Sequence, residues 1–563
     1  MKLKGAQVLL ECLREQGVDV IFGYPGGQVL PIYDALYDAD HIKHIITAHE
    51  QGATHAADGY ARATGKVGVV LATSGPGATN TVTGIATAFG DSVPMVVITG
   101  QVPCSLLGRS SFQEADIVSI TKSITKKNFL VKEIEKLPQV IREAFELSRT
   151  GRPGPVLVDI PKDVQVASME YEPVLIDTSY KAENSSNYDD KVKDEFNESL
   201  KKAIEAINLS KRPFIYAGGG VGISGAADEL MRLSEKIKAP VTCSLMGLGV
   251  FPGEHPYFTG MVGMHGTRCS NIAINKCDLL IAIGARFSDR VTSDRNSFAS
   301  QAKIIHIDID PNELSKNVNV HIPVNGDVKK VLSFLNENIR EKEKSQWNEQ
   351  IASLKENYPL KCTDYNGVSP KEVLETLYKL TGGKAVISTE VGQNQIWTAQ
   401  FFKFNKPRTL ITSGGLGTMG FGLGAAIGAS IGRPDSKVIN IAGDGSFKMN
   451  SIELATVSKY QIPMIQIVFN NHALGMVRQW QDLFYNKRFS QTHIGSEVDF
   501  INLAKAYGIK AIKISENGQI EQCIKEALEY DGPVFIEVEV HSDAKVFPIV
   551  PPGAPIENII ESV

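Results

Sequence analysis

What the 563 residues lack narrows the field first. The seven cysteines run from Cys12 to Cys523 without one Cys-x-x-Cys pair. That odd, scattered set indicates neither a zinc ribbon nor a disulfide frame and fits a reducing compartment. No apolar run reaches the roughly 18 residues that a membrane span requires. The opening stretch "MKLKGAQVLLECLREQG" turns acidic and amphipathic before a signal-peptide core can form. Neither charge dominates, and a net charge of −5 over this length argues against a general nucleic-acid grip. The basic cluster at Lys122–Lys127 reads as solvated surface, and no repeat of fixed period is visible. The expectation is a soluble, cytoplasmic protein with neither membrane nor nucleic acid as partner.

A zinc-protease signature is also missing, although "AHEQGATHAADGY" (48–60) imitates one. That motif needs two His four residues apart, so that one helix face carries both. His49 and His55 are six apart, and at about 100° per residue they diverge by roughly 240°. Glu50 therefore needs another task than serving a helix-borne zinc.

What is present is an alternation of short apolar runs and helical stretches. The runs are "KHIIT", "VGVVLATS", "PMVVITG", "GPVLVDI", "PFIYAGG", "LLIAIGA", "KIIHIDI", "KAVISTE", "SKVINIAG", "MIQIVFNN" and "PVFIEVEV". Continuous apolar strands separated by helices predict parallel sheets covered on both faces. Two polar interruptions, 176–195 and 339–368, divide the chain; the second reads as a charged helical bridge followed by a loop. The resulting expectation is an α/β protein of three doubly wound parallel-sheet domains, spanning 1–178, 190–345 and 365–563. A 43 % hydrophobic share is enough for three sizeable cores.

The strongest chemical signal is "KVINIAGDGSFKMNSIELATVSKYQIPMIQIVFNNHALG". Asp444 follows one strand and Asn471 the next, 27 residues later, about one βαβ crossover. Parallel strands place both at one sheet edge, where open α/β sheets bind ligands. A carboxylate plus an amide oxygen suits Mg²⁺, which completes its octahedron with water and phosphate oxygens. Gly443 and Gly445 permit close approach of backbone N–H groups to such phosphates.

"GDGSF…NN" resembles the signature of thiamine-diphosphate (ThDP) enzymes. Along essentially its whole length the chain resembles the acetohydroxyacid synthase (acetolactate synthase) catalytic subunits. The resemblance implies the ThDP-enzyme architecture: a pyrimidine-binding first domain, an FAD-binding middle domain and a diphosphate-binding third domain. It implies Mg²⁺ held by Asp444, Asn471 and the main-chain oxygen of Ala473. It further implies a ThDP site with contributions from Val391, Gly392, Gln393, Gly417, Met419, Ser446, Gly475 and Met476. Glu50, in the family's "HE-x-x-A" pattern, would be bonded to N1′ of the aminopyrimidine as a partly desolvated carboxylate suited to proton sharing.

Two glycine stretches match the dinucleotide fingerprint, "GLGTMG" (Gly415, Gly417, Gly420) and "GVGISG" (Gly220, Gly222, Gly225), the latter continuing "AGGGVG". After "GLGTMG" the acid at the required distance, Asp435, precedes a strand instead of ending one, so the fit fails. By resemblance, that stretch grips the aminopyrimidine around Gly417, and Met419 props the cofactor. "AGGGVG" (Gly218, Gly219, Gly220) does follow a strand, and either FAD contact or tight helix–strand packing explains its glycines. The flavin expectation extends to Arg152, Met264, His265, Gly284, Ala285, Arg286, Arg290, Asp308 and Asp327. The family commonly has "RFDDR" where this chain has "RFSDR", so Ser288 removes one acceptor. The flavin is expected to be structural, without net redox chemistry.

The implied reaction decarboxylates pyruvate and ligates the remaining hydroxyethyl unit to a second pyruvate or to 2-ketobutyrate. This is the first common step towards valine, leucine and isoleucine. Arg290 is expected to hold the acceptor's carboxylate. Trp480 would wall its alkyl group, with Phe112, Met264 and Met476 around it, and Gln113 and Lys162 would be polar groups of the channel. The resemblance also implies a homodimer or dimer of dimers with active sites across the interface, and a small regulatory subunit. A flavin-linked pyruvate oxidase, a flavin-free catabolic acetolactate synthase and a nucleotide-binding module stay open at this point.

Overall fold

The computed structural model describes residues 1–174, 190–362, 367–495 and 497–562. Three six-stranded sheets, parallel at every pairing, form its frame. The first runs, edge to edge, Lys43–Ile46, Val20–Gly23, Gly68–Ala72, Met95–Gln101, Pro155–Pro161 and Lys127–Leu130. The third runs Leu410–Ile411, Val386–Thr389, Val438–Gly443, Met464–Asn470, Val534–Glu539 and Lys510–Ile514. Counted in chain order, both read 2-1-3-4-6-5. The middle sheet reads 3-2-1-4-5-6: Phe258–Met261, Val241–Cys243, Pro213–Ala217, Leu279–Ile283, Lys303–Asp308 and Ile322–Asn325. That is the order of dinucleotide-binding sheets. All three orders reverse direction beside their first strand, and beyond the strands' carboxyl ends that reversal opens a crevice.

Every apolar run named above is a strand, and the three-domain α/β expectation holds. The strands without such a run are mostly edge strands, such as Lys127–Leu130, Ile322–Asn325 and Lys510–Ile514. An edge strand buries less of itself and tolerates Lys, Asn or Pro that a central strand does not. Most of the polar stretch 176–195 lies outside the described residues, but from Asp190 the chain is helical, in Asp190–Leu209. In the second interruption, the helix Gln346–Asn357 packs on the middle domain: Trp347 is buried and its indole N–H donates to the Pro213 carbonyl at 3.0 Å.

The domains share cores. One apolar cluster passes from Val70 and Val97 of the first sheet, through two facing helices, to Val438 and Val468 of the third. Those helices are Glu50–Thr64 and Gly422–Gly432. Their backbones approach closely because glycines face them: a Cβ on Gly59 would strike Ala425, and one on Gly428 would strike the Ala56 carbonyl. The tail crosses back to the middle domain, with Val550 donating to the Met264 carbonyl at 2.8 Å. Among the described residues no helix is long and apolar enough to cross a membrane, and no disulfide joins two cysteines.

Candidate active site

Asp444 begins the short helix Asp444–Lys448 directly after Val438–Gly443, and Asn471 follows Met464–Asn470 directly. These strands pair in register from Val438 with Met464 to Gly443 with Phe469, which brings the two residues to one edge. Both are buried. Burial pushes the Asp444 carboxyl up to about 6, and its Oδ2 is enclosed without a hydrogen-bond partner. An enclosed carboxylate oxygen with no donor is a costly arrangement unless a cation joins it. Asn471 accepts from the Ala473 N–H at 3.2 Å and donates to Gln393 at 3.3 Å. Gln393 is fixed in turn by Gln479 and the Ala544 carbonyl. A Cβ on Gly475 would collide with the side-chain amides of Gln393 and Asn471, so a larger residue there would displace this pair. Among the described residues no group of three His, Cys, Asp or Glu could hold a metal. The donor set here, one carboxylate with neutral oxygens, instead suits an ion that shares phosphate oxygens.

Beside this edge lies a cavity of about 1330 Å³ lined by all three domains. Val391, Gly392, Gly417, Met476 and Trp480 line it from the third domain, and Met264 and Arg290 from the middle one. Trp480 stands edge-on to Phe484, with the Arg290 guanidinium 5.9 Å from its ring centre. Its indole N–H is enclosed and unpartnered. Arg290 stays largely exposed, with only Met264 Sδ at 3.6 Å and Asp289 at 4.0 Å near its nitrogens. An apolar wall beside an available guanidinium is what a small keto acid needs. The 413–420 loop at the rim is fastened by the first domain: Asp91 accepts from Gly414 and Gly415, and Thr87 meets Thr418 at 2.7 Å.

All twelve residues of the flavin expectation line the same cavity. They are Arg152, Gly218, Gly219, Gly220, Met264, His265, Gly284, Ala285, Arg286, Arg290, Asp308 and Asp327. They flank the reversal point of the middle sheet, between Pro213–Ala217 and Leu279–Ile283. Several carry structural duties as well. Gly218 and Gly220 abut Gly284 with no room for a Cβ, so packing alone requires two of the glycines in "AGGGVG". Arg152 is paired with Glu313 at 2.9 Å and Asp310 at 3.2 Å. Arg286 donates to the Gly90 carbonyl, and Asp327 caps the helix Val328–Asn338 through the Lys330 N–H. Burial raises the Asp308 carboxyl to about 6 and lowers His265 to about 4. Ser288 lines the cavity and precedes the short helix Asp289–Thr292.

Glu50, Phe112, Gln113 and Lys162 are elsewhere, and none of them lines this cavity. They belong to the first domain's own reversal point, between Val20–Gly23 and Gly68–Ala72. Glu50 opens its helix beneath the turn at Gly77, and its Oε2 accepts from Asn80 at 2.9 Å. Lys162 donates to the Gly27 carbonyl at 3.0 Å. Gln113, at φ 59°, lies over Gly75, and Phe112 is 85 % exposed. The two histidines of the mimic motif are structural. His49 caps the helix by accepting from the Gln51 N–H. His55 is fully buried against Phe421, and burial lowers it to about 3. Sequence reasoning missed Asn80, although its Gly-rich turn "TSGPGATN" sits where a reversal-point loop belongs. It also missed Asp91, Glu390 and Glu453; the last accepts from the N–H groups of Ala48 and His49.

Comparison with known proteins gives this geometry a lineage. Residues 3–120 match the thiamine pyrophosphate enzyme N-terminal TPP binding domain, 200–335 the central domain and 390–538 the C-terminal TPP binding domain. A Methanocaldococcus jannaschii protein named "Probable acetolactate synthase large subunit" is 48 % identical, covering 100 % of this chain and 96 % of the relative. The Escherichia coli acetolactate synthase isozyme 2 large subunit is 44 % identical, with 100 % of both chains covered. The mitochondrial acetolactate synthase catalytic subunit of Saccharomyces cerevisiae is 44 % identical over 99 % of this chain and 84 % of its own. With three family domains in order and identity sustained from end to end, this chain belongs to the acetolactate synthase large-subunit family of thiamine pyrophosphate enzymes.

Proposed function

We infer that this protein is a ThDP-dependent acetolactate synthase of branched-chain amino-acid biosynthesis. It releases CO₂ from pyruvate and joins the remaining two-carbon unit to a second 2-keto acid. Pyruvate as acceptor yields 2-acetolactate, and 2-ketobutyrate yields 2-aceto-2-hydroxybutyrate. The observation that carries the cofactor site is the enclosed, unpartnered Oδ2 of Asp444 beside Asn471. Asp444, Asn471 and the Ala473 carbonyl would hold Mg²⁺. Gly443, Gly445, Ser446, Val391, Gly392, Gln393, Gly475 and Met476 would shape the site around the diphosphate and thiazolium, and Gly417 and Met419 would meet the aminopyrimidine. ThDP, when bound, supplies a carbon nucleophile and an electron sink.

The chain's own groups set the conditions. Glu50 would hold a proton at N1′ of the aminopyrimidine, a task that needs a carboxylate. Arg290 orients the acceptor through its carboxylate. Trp480, Met476 and Met264 present apolar surface to its alkyl group and keep water from the reacting carbon, where protonation would divert the product to acetaldehyde. Phe112, Gln113 and Lys162 would reach the same space only from another copy of the first domain, since in their own chain they stand outside the cavity. The working unit is therefore at least a homodimer with sites shared between subunits. A flavin in the middle domain is supported by twelve expected residues on one cavity wall, and its role would be structural. The names of the relatives, "large" and "catalytic" subunit, support a smaller regulatory partner.

The test is product analysis with pyruvate and 2-ketobutyrate in competition, with and without ThDP, Mg²⁺ and FAD. Both acetohydroxyacids should form, and only when ThDP and a divalent cation are present. Acetaldehyde or acetyl phosphate as the main product would overturn the reading.

A further inference from the structure

Glu390 directly follows the strand Val386–Thr389 and is wholly buried. It borders the reversal point of the third sheet. Its Oε2 accepts from the Gly420 N–H at 2.8 Å and the Ser446 hydroxyl at 2.7 Å. Its Oε1 accepts from the Leu423 N–H at 3.2 Å. The triangle closes through a bond from the Gly420 N–H to the Ser446 hydroxyl at 3.1 Å. Its own backbone is pinned as well: its N–H donates to the Ile441 carbonyl at 2.9 Å, and its carbonyl accepts from Asn394 at 2.9 Å. Asn394 also donates to Ile441 at 2.8 Å. One side chain thus touches the loop Gly417–Gly420 and the turn Asp444–Ser446, while its backbone begins the segment Val391–Gln393.

We propose that Glu390 is a positioning residue for the cofactor, its carboxylate clasping the Gly417–Gly420 loop to the Asp444–Ser446 turn. This rests on the ThDP reading above. The two clasped segments are the ones assigned to opposite ends of that cofactor, so their separation must match its length. Three donors converge on Glu390, and only an ionised carboxylate meets them without presenting a donor of its own. Among the described residues no Lys or Arg pairs with it. Burial raises it to about 7, opposed by Ser446, the loop N–H groups and the start of the helix Gly422–Gly432. A buried acid without a cation is a poor choice for stability alone, since apolar replacements of buried charge are often neutral or better. Its worth lies in holding two loops in one register.

Glu390→Gln keeps the shape but turns an amide N–H towards at least one of the three donors. Full-length protein stripped of cofactor is titrated calorimetrically with ThDP in excess Mg²⁺, and its melting temperature is measured with and without ThDP and Mg²⁺. The ThDP Kd should rise about tenfold in Glu390→Gln, as expected for one buried donor left unsatisfied. The thermal gain on adding the cofactor should shrink with it. A purely structural role would lower the melting temperature equally in both states and leave Kd within threefold of the parent, and that result overturns the proposal. Should Glu390→Gln fail to fold, Glu390→Asp decides by the same threefold limit, because it keeps the charge but withdraws it from Gly420. A parent chain that binds no ThDP would overturn the cofactor reading, and this proposal with it.

Discussion

Burial holds the Asp444 carboxyl at about 6 with one oxygen unpartnered, so an uncharged residue of equal size should suit the cofactor-free chain better. An acid raised above its unfolded value contributes stability below that value and loses it as pH rises through the folded one. For Asp444 the window runs from about 4 to about 6. Asp444→Asn should therefore raise the melting temperature of cofactor-free protein at pH 7.5, by roughly 1 °C for each kcal/mol relieved in a chain of this length. The gain should fade below pH 5, and the same variant should fail to show thermal stabilisation by ThDP and Mg²⁺. Scanning calorimetry at the two pH values checks both signs. At Trp480 the conflict is one of selectivity. The acceptor's extra methylene is worth about 1–3 kcal/mol against a well-fitted apolar wall. Trp480→Leu should lower the 2-ketobutyrate-to-pyruvate product ratio about tenfold, while an unchanged ratio in competition assays would remove Trp480 from the pocket. Asp444, Asn471 and Glu50 are legible in the sequence because their spacing or motif is specific. Glu390 and Asp91 are not, since a lone acid after a strand or helix looks the same whether it caps a turn or clasps two loops.

The helix Glu50–Thr64 shows what an element-level pattern conveys and conceals. Its start at Glu50 follows from the His49 cap, and its end from Gly65 at φ +79°. Its run of alanines and glycines does not reveal which surface it meets. The partner is Gly422–Gly432, and the contact is close enough that Gly428 has no space for a methyl: Ala56 carbonyl carbon and Tyr60 nitrogen would stand 2.6 and 2.8 Å from it. Because the obstacle is backbone, the helices would have to separate, and overpacking of this kind costs about 1–3 kcal/mol. Gly428→Ala should lower the melting temperature by several degrees. Gly518→Ala, in a turn with nothing within 4 Å of the added carbon, should leave it within about a degree. Equal effects would show that the close approach carries no stability. The edge strands illustrate the reverse. Lys127–Leu130 and Ile322–Asn325 join their sheets through backbone pairing with a neighbour, which leaves little trace in composition.

At the scale of the whole molecule, the candidate site residues fall into two separate groups. Glu50, Asn80, Gln113 and Lys162 gather at the first sheet's reversal point, while Asp444, Asn471 and Trp480 of the third domain stand with Arg290 of the middle one. If two chains complete each other's sites, inactive variants from opposite halves must complement. Glu50→Gln and Asp444→Ala, each inactive alone, should recover about a quarter of parental activity when mixed in equal amounts and allowed to exchange subunits. Random pairing makes half the dimers mixed, and each mixed dimer has one intact site. Activity that stays at the sum of the two variants would locate the whole site within one chain. From the sequence alone follow the α/β class, the strand-end chemistry of Asp444 and Asn471 and the dismissal of the zinc mimic. Those depend on local periodicity and on spacing along one βαβ unit. Only the tertiary structure decided that the first and third sheets share a strand order that the middle one lacks. It also decided that two glycines of "AGGGVG" serve packing, and that Glu50 stands apart from the cavity in its own chain. These depend on which surfaces meet across hundreds of residues, and no local pattern encodes that choice.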